Sequence, residues 1–206
     1  MFLEDTLRPL SATTLLALYL PVPFYLLWLH GLQRLWKKMG WASYVFLLSP
    51  YLAMVAAIVR WHALWQWRAW PWPHALSWLA LVPLALAGWL AWHTYRTIEP
   101  RTLHLERQLN PSPGRRLITT GVLGRMRHPR YVMFTLLAVG NALITGYPLI
   151  ATSALVTALL LWATIRLEER ELLAYFGEAF CDYKKRVPAF IPRVSRGVAR
   201  GRRGVS

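Results

Sequence analysis

Residues 131–166 read "YVMFTLLAVGNALITGYPLIATSALVTALLLWATIR". About 20 apolar residues in a helix cross the hydrocarbon core of a bilayer, so a run of about 36 is too long for one span and short for two. "TGYP" at 145–148 carries a Gly and a Pro, the residues that most reliably end one helix and begin the next. The stretch is therefore predicted to be a tight hairpin of two short membrane helices. "GRMRHPRY" (124–131) stands at its threshold and "RLEERELLAYFGEAF" (166–180) follows its return.

Working outward, three further apolar runs are long enough to span: roughly 11–31, interrupted by Pro21 and Pro23, then 41–59, then 75–95. Five membrane helices are expected, and no repeat of fixed period is visible. The composition agrees: 56% of the 206 residues are hydrophobic, above the usual 45–50% of soluble domains, and there are twelve Trp. The fold class is all-α and integral to the membrane, with a polar loop and a C-terminal helix on the cytoplasmic side. Glu4 and Asp5 precede Arg8, and no small-residue cleavage site follows the first run, so that run is expected to be retained rather than removed as a signal peptide. The single Cys181 excludes an internal disulfide.

The net charge of +15 could mark a nucleic-acid partner or an anionic membrane surface. Placement decides. Eight Lys and Arg lie at 96–130 and ten at 166–206, against three at 32–40 and two at 60–74. The positive-inside rule puts the two richest regions in the cytoplasm, the N-terminus outside and the C-terminus inside. "RWHALWQWRAWPWPH" (60–74) reads as an interfacial aromatic belt. The tail "RVSRGVARGRRGVS" is expected to be disordered and to touch anionic headgroups, with no folded nucleic-acid module. Three regions follow: membrane helices at 1–105, a core at 106–192 and a basic tail at 193–206.

Two polar constellations carry the chemistry. Glu168, Leu172 and Phe176 repeat every four residues along one helix face, with Glu169 and Leu173 on its edge and Glu171 opposite. A carboxylate pointing where apolar residues point needs a cation: a loop arginine, or a positively charged ligand. Opposite stands the loop 106–131. "NPSPG" is a turn cluster, "RLITTGVL" reads as extended chain, and Pro129 suits the first turn of the next helix. That helix start, flanked by arginines, suits either a ligand carboxylate or phosphate or a lipid headgroup. No phosphate loop, dinucleotide fingerprint, HExxH or CxxC occurs, and no metal site is expected. Of six His, only His128 lies in a dense polar cluster, and the others are read as interfacial.

"LITTGVLGRMRHPRY", two membrane helices, then "RLEERELLAYFGEAFCDYKKRVPAFIP" resembles the isoprenylcysteine carboxyl methyltransferase family, and more loosely the wider integral membrane methyltransferases, over about residues 106–192. The resemblance implies S-adenosylmethionine as cofactor, its sulfonium being the cation that Glu168 requires. It further implies cofactor contacts at Gln108, Arg116, Leu117, Ile118, His128, Pro129, Arg130, Tyr131 and Glu168. Leu123 stands where the family often has Tyr, and Thr164 where the prenylcysteine enzymes place a substrate-associated Arg. Arg127 and Glu169 are the candidate catalytic residues, with His128 or Glu169 as base for an amine or thiol. The expected function is methyl transfer by direct displacement to a lipophilic acceptor bearing a carboxylate, amine or thiol. A non-catalytic or reductase-like membrane protein on the same helices is the alternative.

Overall fold

The computed structural model describes residues 2–67, 74–97 and 117–191. Gln108, Arg116, the turn cluster at 110–114 and the basic tail lie outside the described residues, as does part of the Trp-rich stretch. The described residues are helical apart from short connections. The helices are α1 (Phe2–Tyr19), α2 (Pro21–Gly31), α3 (Gln33–Met39), α4 (Ala42–Arg60), α5 (His62–Trp65), α6 (His74–Leu79), α7 (Leu81–Thr97), α8 (Pro129–Thr145), α9 (Pro148–Phe176) and α10 (Glu178–Arg186).

Among the described residues, three stretches are long and apolar enough to cross a membrane: Leu7–Gly31, Ala42–Arg60 and Pro148–Phe176. The first joins α1 and α2 across a bend at Leu20, where Pro21 opens α2 as its first residue. The expected third and fourth spans correspond to α7 and α8, of 17 residues each. At a rise of 1.5 Å per residue, each is about 25 Å long.

The hairpin at 145–148 forms as its residues dictate. Gly146 takes the left-handed conformation (φ 61°), and its N–H bonds the Ala142 carbonyl, closing α8. Pro148 then opens α9. The expectation of two short helices is corrected for the second: α9 runs 29 residues without a break, to Gly177. No Gly or Pro interrupts 149–176, and its carboxylates find partners, so the helix continues past the apolar zone and carries Glu168–Phe176 with it.

Helix α8 is central, packed on α7, α9 and α1, while α2 lies against α9. Ala12, Leu16, Tyr19, Ala138, Tyr147 and Ile150 form one buried cluster between α1, α8 and α9. Polar ties cross the same contact. Tyr19 and Ser153 hydroxyls are 2.7 Å apart, and Asn141 Nδ2 donates to the Ala12 carbonyl at 3.1 Å. Between helices in lipid, such bonds replace part of the attraction that water provides elsewhere. Outward faces carry exposed Leu52, Trp78, Leu155, Leu159 and Trp162, as lipid contact requires.

Between α7 and α8 the chain departs from the expected extended run: Gly121–Gly124 is a 3₁₀ turn. Gly121 has φ 59°, and a Cβ there would come within 2.5 Å of Thr97 Oγ1, so the turn can lie on the end of α7 only as glycine.

Candidate active site at the mouth of the hairpin

Antiparallel packing of α8 and α9 returns residue 168 to the level of residue 128, so the two polar constellations meet. The Tyr131 hydroxyl donates to Glu168 Oε2 at 2.7 Å, and His128 Nδ1 is 3.6 Å from the same oxygen. His128 Nε2 is 3.1 Å from Glu169 Oε1. The imidazole thus lies between two carboxylates, one at each nitrogen. Only the imidazolium can donate to both. Burial pulls the His128 pKa down, but hydrogen bonds and charge from Glu168 and Glu169 more than reverse this, and it stands above its ordinary value.

A raised folded-state value fixes the sign of a pH effect. The stability that charged His128 contributes is complete below about pH 6.5 and is lost as pH rises through the folded value. The difference in thermal midpoint between the wild type and His128→Gln should therefore shrink between pH 6 and 8.5. A constant difference across that range would show that the imidazolium is not what the carboxylates hold.

Glu169 is the less solvent-exposed carboxylate, 10% against 21% for Glu168. Its Oε1 accepts from Arg127 Nε at 3.0 Å and Nη2 at 2.7 Å, and its Oε2 from Lys184 Nζ at 2.6 Å. Arg127 Nη1 also donates to the Lys184 carbonyl at 3.2 Å and to the Val187 carbonyl. The backbone N–H groups of Arg127 and His128 bond the carbonyls of Pro188 and Ala189 at 2.9 and 3.1 Å. Tyr183 donates to the Leu123 carbonyl at 2.6 Å, with its phenol pushed up to about 12 mainly by burial. The segment after α10 is thereby fastened across the mouth of the hairpin.

The remaining predicted residues fall as follows. Pro129 is the first residue of α8 and is buried. Arg130, half-buried, makes no hydrogen bond or ion pair with the described residues and lies within electrostatic reach of Glu168. The first intrahelical bond of α8 is Val132 N–H to the His128 carbonyl at 3.2 Å, which leaves the N–H groups of Arg130 and Tyr131 without a helical acceptor. Leu117 packs against the cluster of Phe180, Tyr183 and Val187, and Ile118 is half-buried beside it in the chain.

Two readings need correction. Glu171 does not face away from the protein: His30 Nδ1 is 2.8 Å from its Oε2, and Gln33 Nε2 donates to it at 3.3 Å. Three residues apart on one helix, Glu168 and Glu171 point only about 60° from each other, so they share a side of α9, and α2 covers Glu171 there. For the same reason His30 is not an interfacial histidine, its side chain being only 8% exposed. Lys184, in "YKKRVP", joins the site through Glu169, a contact that no spacing in the sequence shows. Among the described residues no group of His, Cys, Asp and Glu is arranged to hold a metal ion.

A family model described as phospholipid methyltransferase matches residues 75–179. The chain belongs to that family. The match begins within α6 and ends at the start of α10. Residues similar to this chain occur in protein-S-isoprenylcysteine O-methyltransferase of Schizosaccharomyces pombe, 35% identical over 82 residues, covering 38% of this chain and 34% of the relative. The Rattus norvegicus protein of that name is 37% identical over 89 residues, covering 41% and 30%. The cobalt-zinc-cadmium resistance protein CzcN of Cupriavidus metallidurans is 41% identical over 80 residues, covering 38% and 37%. These matches bear out the resemblance to the isoprenylcysteine methyltransferases. The chain spans about a third of the length of these relatives. No solved structure matches it.

Proposed function

We propose that this phospholipid methyltransferase family member transfers a methyl group from S-adenosylmethionine to a lipophilic acceptor. The observation that carries the reading is Glu168: a carboxylate at the mouth of the hairpin with one oxygen held by Tyr131 and the other without a hydrogen bond among the described residues. Beside it stand Arg130 and the N–H groups of the α8 start, which have no acceptor among the described residues. A carboxylate next to an arginine and a helix N-terminus is a donor set for a ligand carrying both charges. The residues present therefore fit an amino-acid sulfonium.

When bound, S-adenosylmethionine supplies a methyl carbon already activated by its sulfonium. Glu168 would face the positive end of the ligand, and Arg130 with the α8 N–H groups its carboxylate. Gln108, Arg116, Leu117 and Ile118 would complete the pocket from the loop, and Pro129 and Tyr131 would shape its floor. Arg127 and Glu169 are better suited to positioning than to proton transfer, because both Glu169 oxygens are already engaged. His128 would hold the two carboxylates apart and in register. With the reactants aligned and the donor activated, alignment supplies most of the acceleration. The acceptor would enter from the lipid, where α9 exposes Leu155, Leu159 and Trp162.

Radiolabelled S-adenosylmethionine should bind the purified protein in detergent, and label should appear in lipophilic product after incubation with membrane lipids and long-chain thiols or amines. Binding without transfer to any of them would favour a non-catalytic relative. Absence of binding would overturn the reading.

The topology proposed with it has five spans, the N-terminus outside and the C-terminus in the cytoplasm, with the site on the cytoplasmic side. The basic loops support this. Reporter fusions at residues 1 and 206 should report opposite sides, and fusions on one side would sink it.

A further inference from the structure

A second imidazole stands beside Glu168. On α2, Val22, Leu26 and His30 recur every four residues and share one face. Leu26 packs with Tyr131, Leu161 and Ile165, and Val22 lies against the same cluster. His30 is one turn beyond Leu26, at the level of Glu168 and Glu171 on α9. A carboxylate only accepts, so the Nδ1 of a neutral His30 carries the hydrogen toward Glu171 and Nε2 keeps the lone pair. Nε2 makes no hydrogen bond with the described residues. The charged groups facing the ring are Glu171 and Glu168 of α9 and Arg130 of α8.

We propose that His30, oriented by Glu171, is the general base that removes the proton from the methyl acceptor, and that the acceptor is accordingly a lipophilic amine or thiol rather than a carboxylate. This rests on the methyltransferase reading above. The other bases at the site are engaged: His128 has a carboxylate at each nitrogen, and Glu169 accepts from Arg127, His128 and Lys184. His30 has a nitrogen without a partner among the described residues and a carboxylate behind the other, the arrangement that holds an imidazole in the tautomer needed for proton abstraction.

The step balances. The lone pair of the acceptor nitrogen or sulfur forms a bond to the methyl carbon, and the carbon–sulfur bond of the sulfonium breaks with its electron pair remaining on sulfur. The products are the methylated acceptor and S-adenosylhomocysteine. The acceptor's N–H or S–H proton passes to His30 Nε2, and the Glu171 carboxylate holds the resulting imidazolium. A carboxylate acceptor has no proton to give at neutral pH and would leave the pair unused.

The test uses the full-length protein in lipid nanodiscs with S-adenosylmethionine and three probes: dodecylamine, dodecanethiol and dodecanoate. The wild type should methylate the amine or the thiol in preference to dodecanoate. His30→Gln should lower that turnover roughly 100-fold, the lower range for loss of a general base, while S-adenosylhomocysteine affinity stays within about twofold. Glu171→Gln provides the second variant. It keeps an acceptor for Nδ1–H but removes the charge that favours the imidazolium, so the acidic limb of its pH–rate profile should move to lower pH. A merely structural Glu171 would lower the rate without moving the limb. Transfer to dodecanoate alone, wild-type turnover in His30→Gln, or no transfer to any probe by protein that binds S-adenosylhomocysteine would each overturn the proposal. Failure of the wild type to bind S-adenosylhomocysteine would instead overturn the methyltransferase reading beneath it.

Discussion

Replacing Glu168 by Gln should weaken S-adenosylmethionine binding by about 1.5–3 kcal/mol, the range for a hydrogen-bonded contact to a charged group, or roughly 10- to 150-fold. The substitution keeps shape and the capacity to accept from the Tyr131 hydroxyl, which lies 2.7 Å from Glu168. What it removes is the negative charge beside the proposed sulfonium position. S-adenosylhomocysteine has no charge on sulfur, so its affinity should fall less, and the difference between the two ligands isolates the charge. Asp182→Asn is the control. Asp182 is 65% exposed and its side chain pairs with Lys185 one turn away, at 3.0 Å, a surface contact of small worth. Glu171 cannot serve as control, because it is tied to His30. Equal losses for both ligands, or equal small losses in Glu168→Gln and Asp182→Asn, would show that Glu168 does not meet the sulfonium.

Arg127→Ala should have its main effect on stability, about 3 kcal/mol of destabilisation. The Arg127 and Glu169 side chains are 9% and 10% exposed. Removing the guanidinium leaves a buried carboxylate with Lys184 and His128 as its remaining partners, and leaves the carbonyls of Lys184 and Val187 without their donor. The fastening of the segment after α10 then rests on the backbone bonds from residues 127 and 128. Lys184→Ala should cost under about 1 kcal/mol, since the lysine is half exposed and Arg127 remains. Thermal unfolding of both variants in detergent decides the matter. An Arg127→Ala protein of wild-type stability that binds cofactor but transfers no methyl would return Arg127 to the catalytic role the motif suggested.

The sequence by itself determined the features that depend on chain-local chemistry. "TGYP" had to turn, because Gly146 supplies the left-handed residue and Pro148 the start of a helix. Apolar length placed Leu7–Gly31 and Ala42–Arg60 to within a few residues, and the period of Glu168, Leu172 and Phe176 pointed Glu168 into the protein. The meeting of residues 128 and 168 was also legible, since consecutive antiparallel helices return the chain to the face it left. Tertiary structure decided what lies across from each side chain. Whether a buried carboxylate is quenched by the protein or left for a ligand depends on which cations reach it. The period puts Glu168 on the buried stripe and Glu169 on its edge, yet Arg127 and Lys184 close on Glu169, while Glu168 meets Tyr131 and His128 with one oxygen only. Glu171 and His30 are 141 positions apart, and only the packing of α2 on α9 brings them to 2.8 Å. A helical period describes one helix and carries no information about which second helix covers its other face.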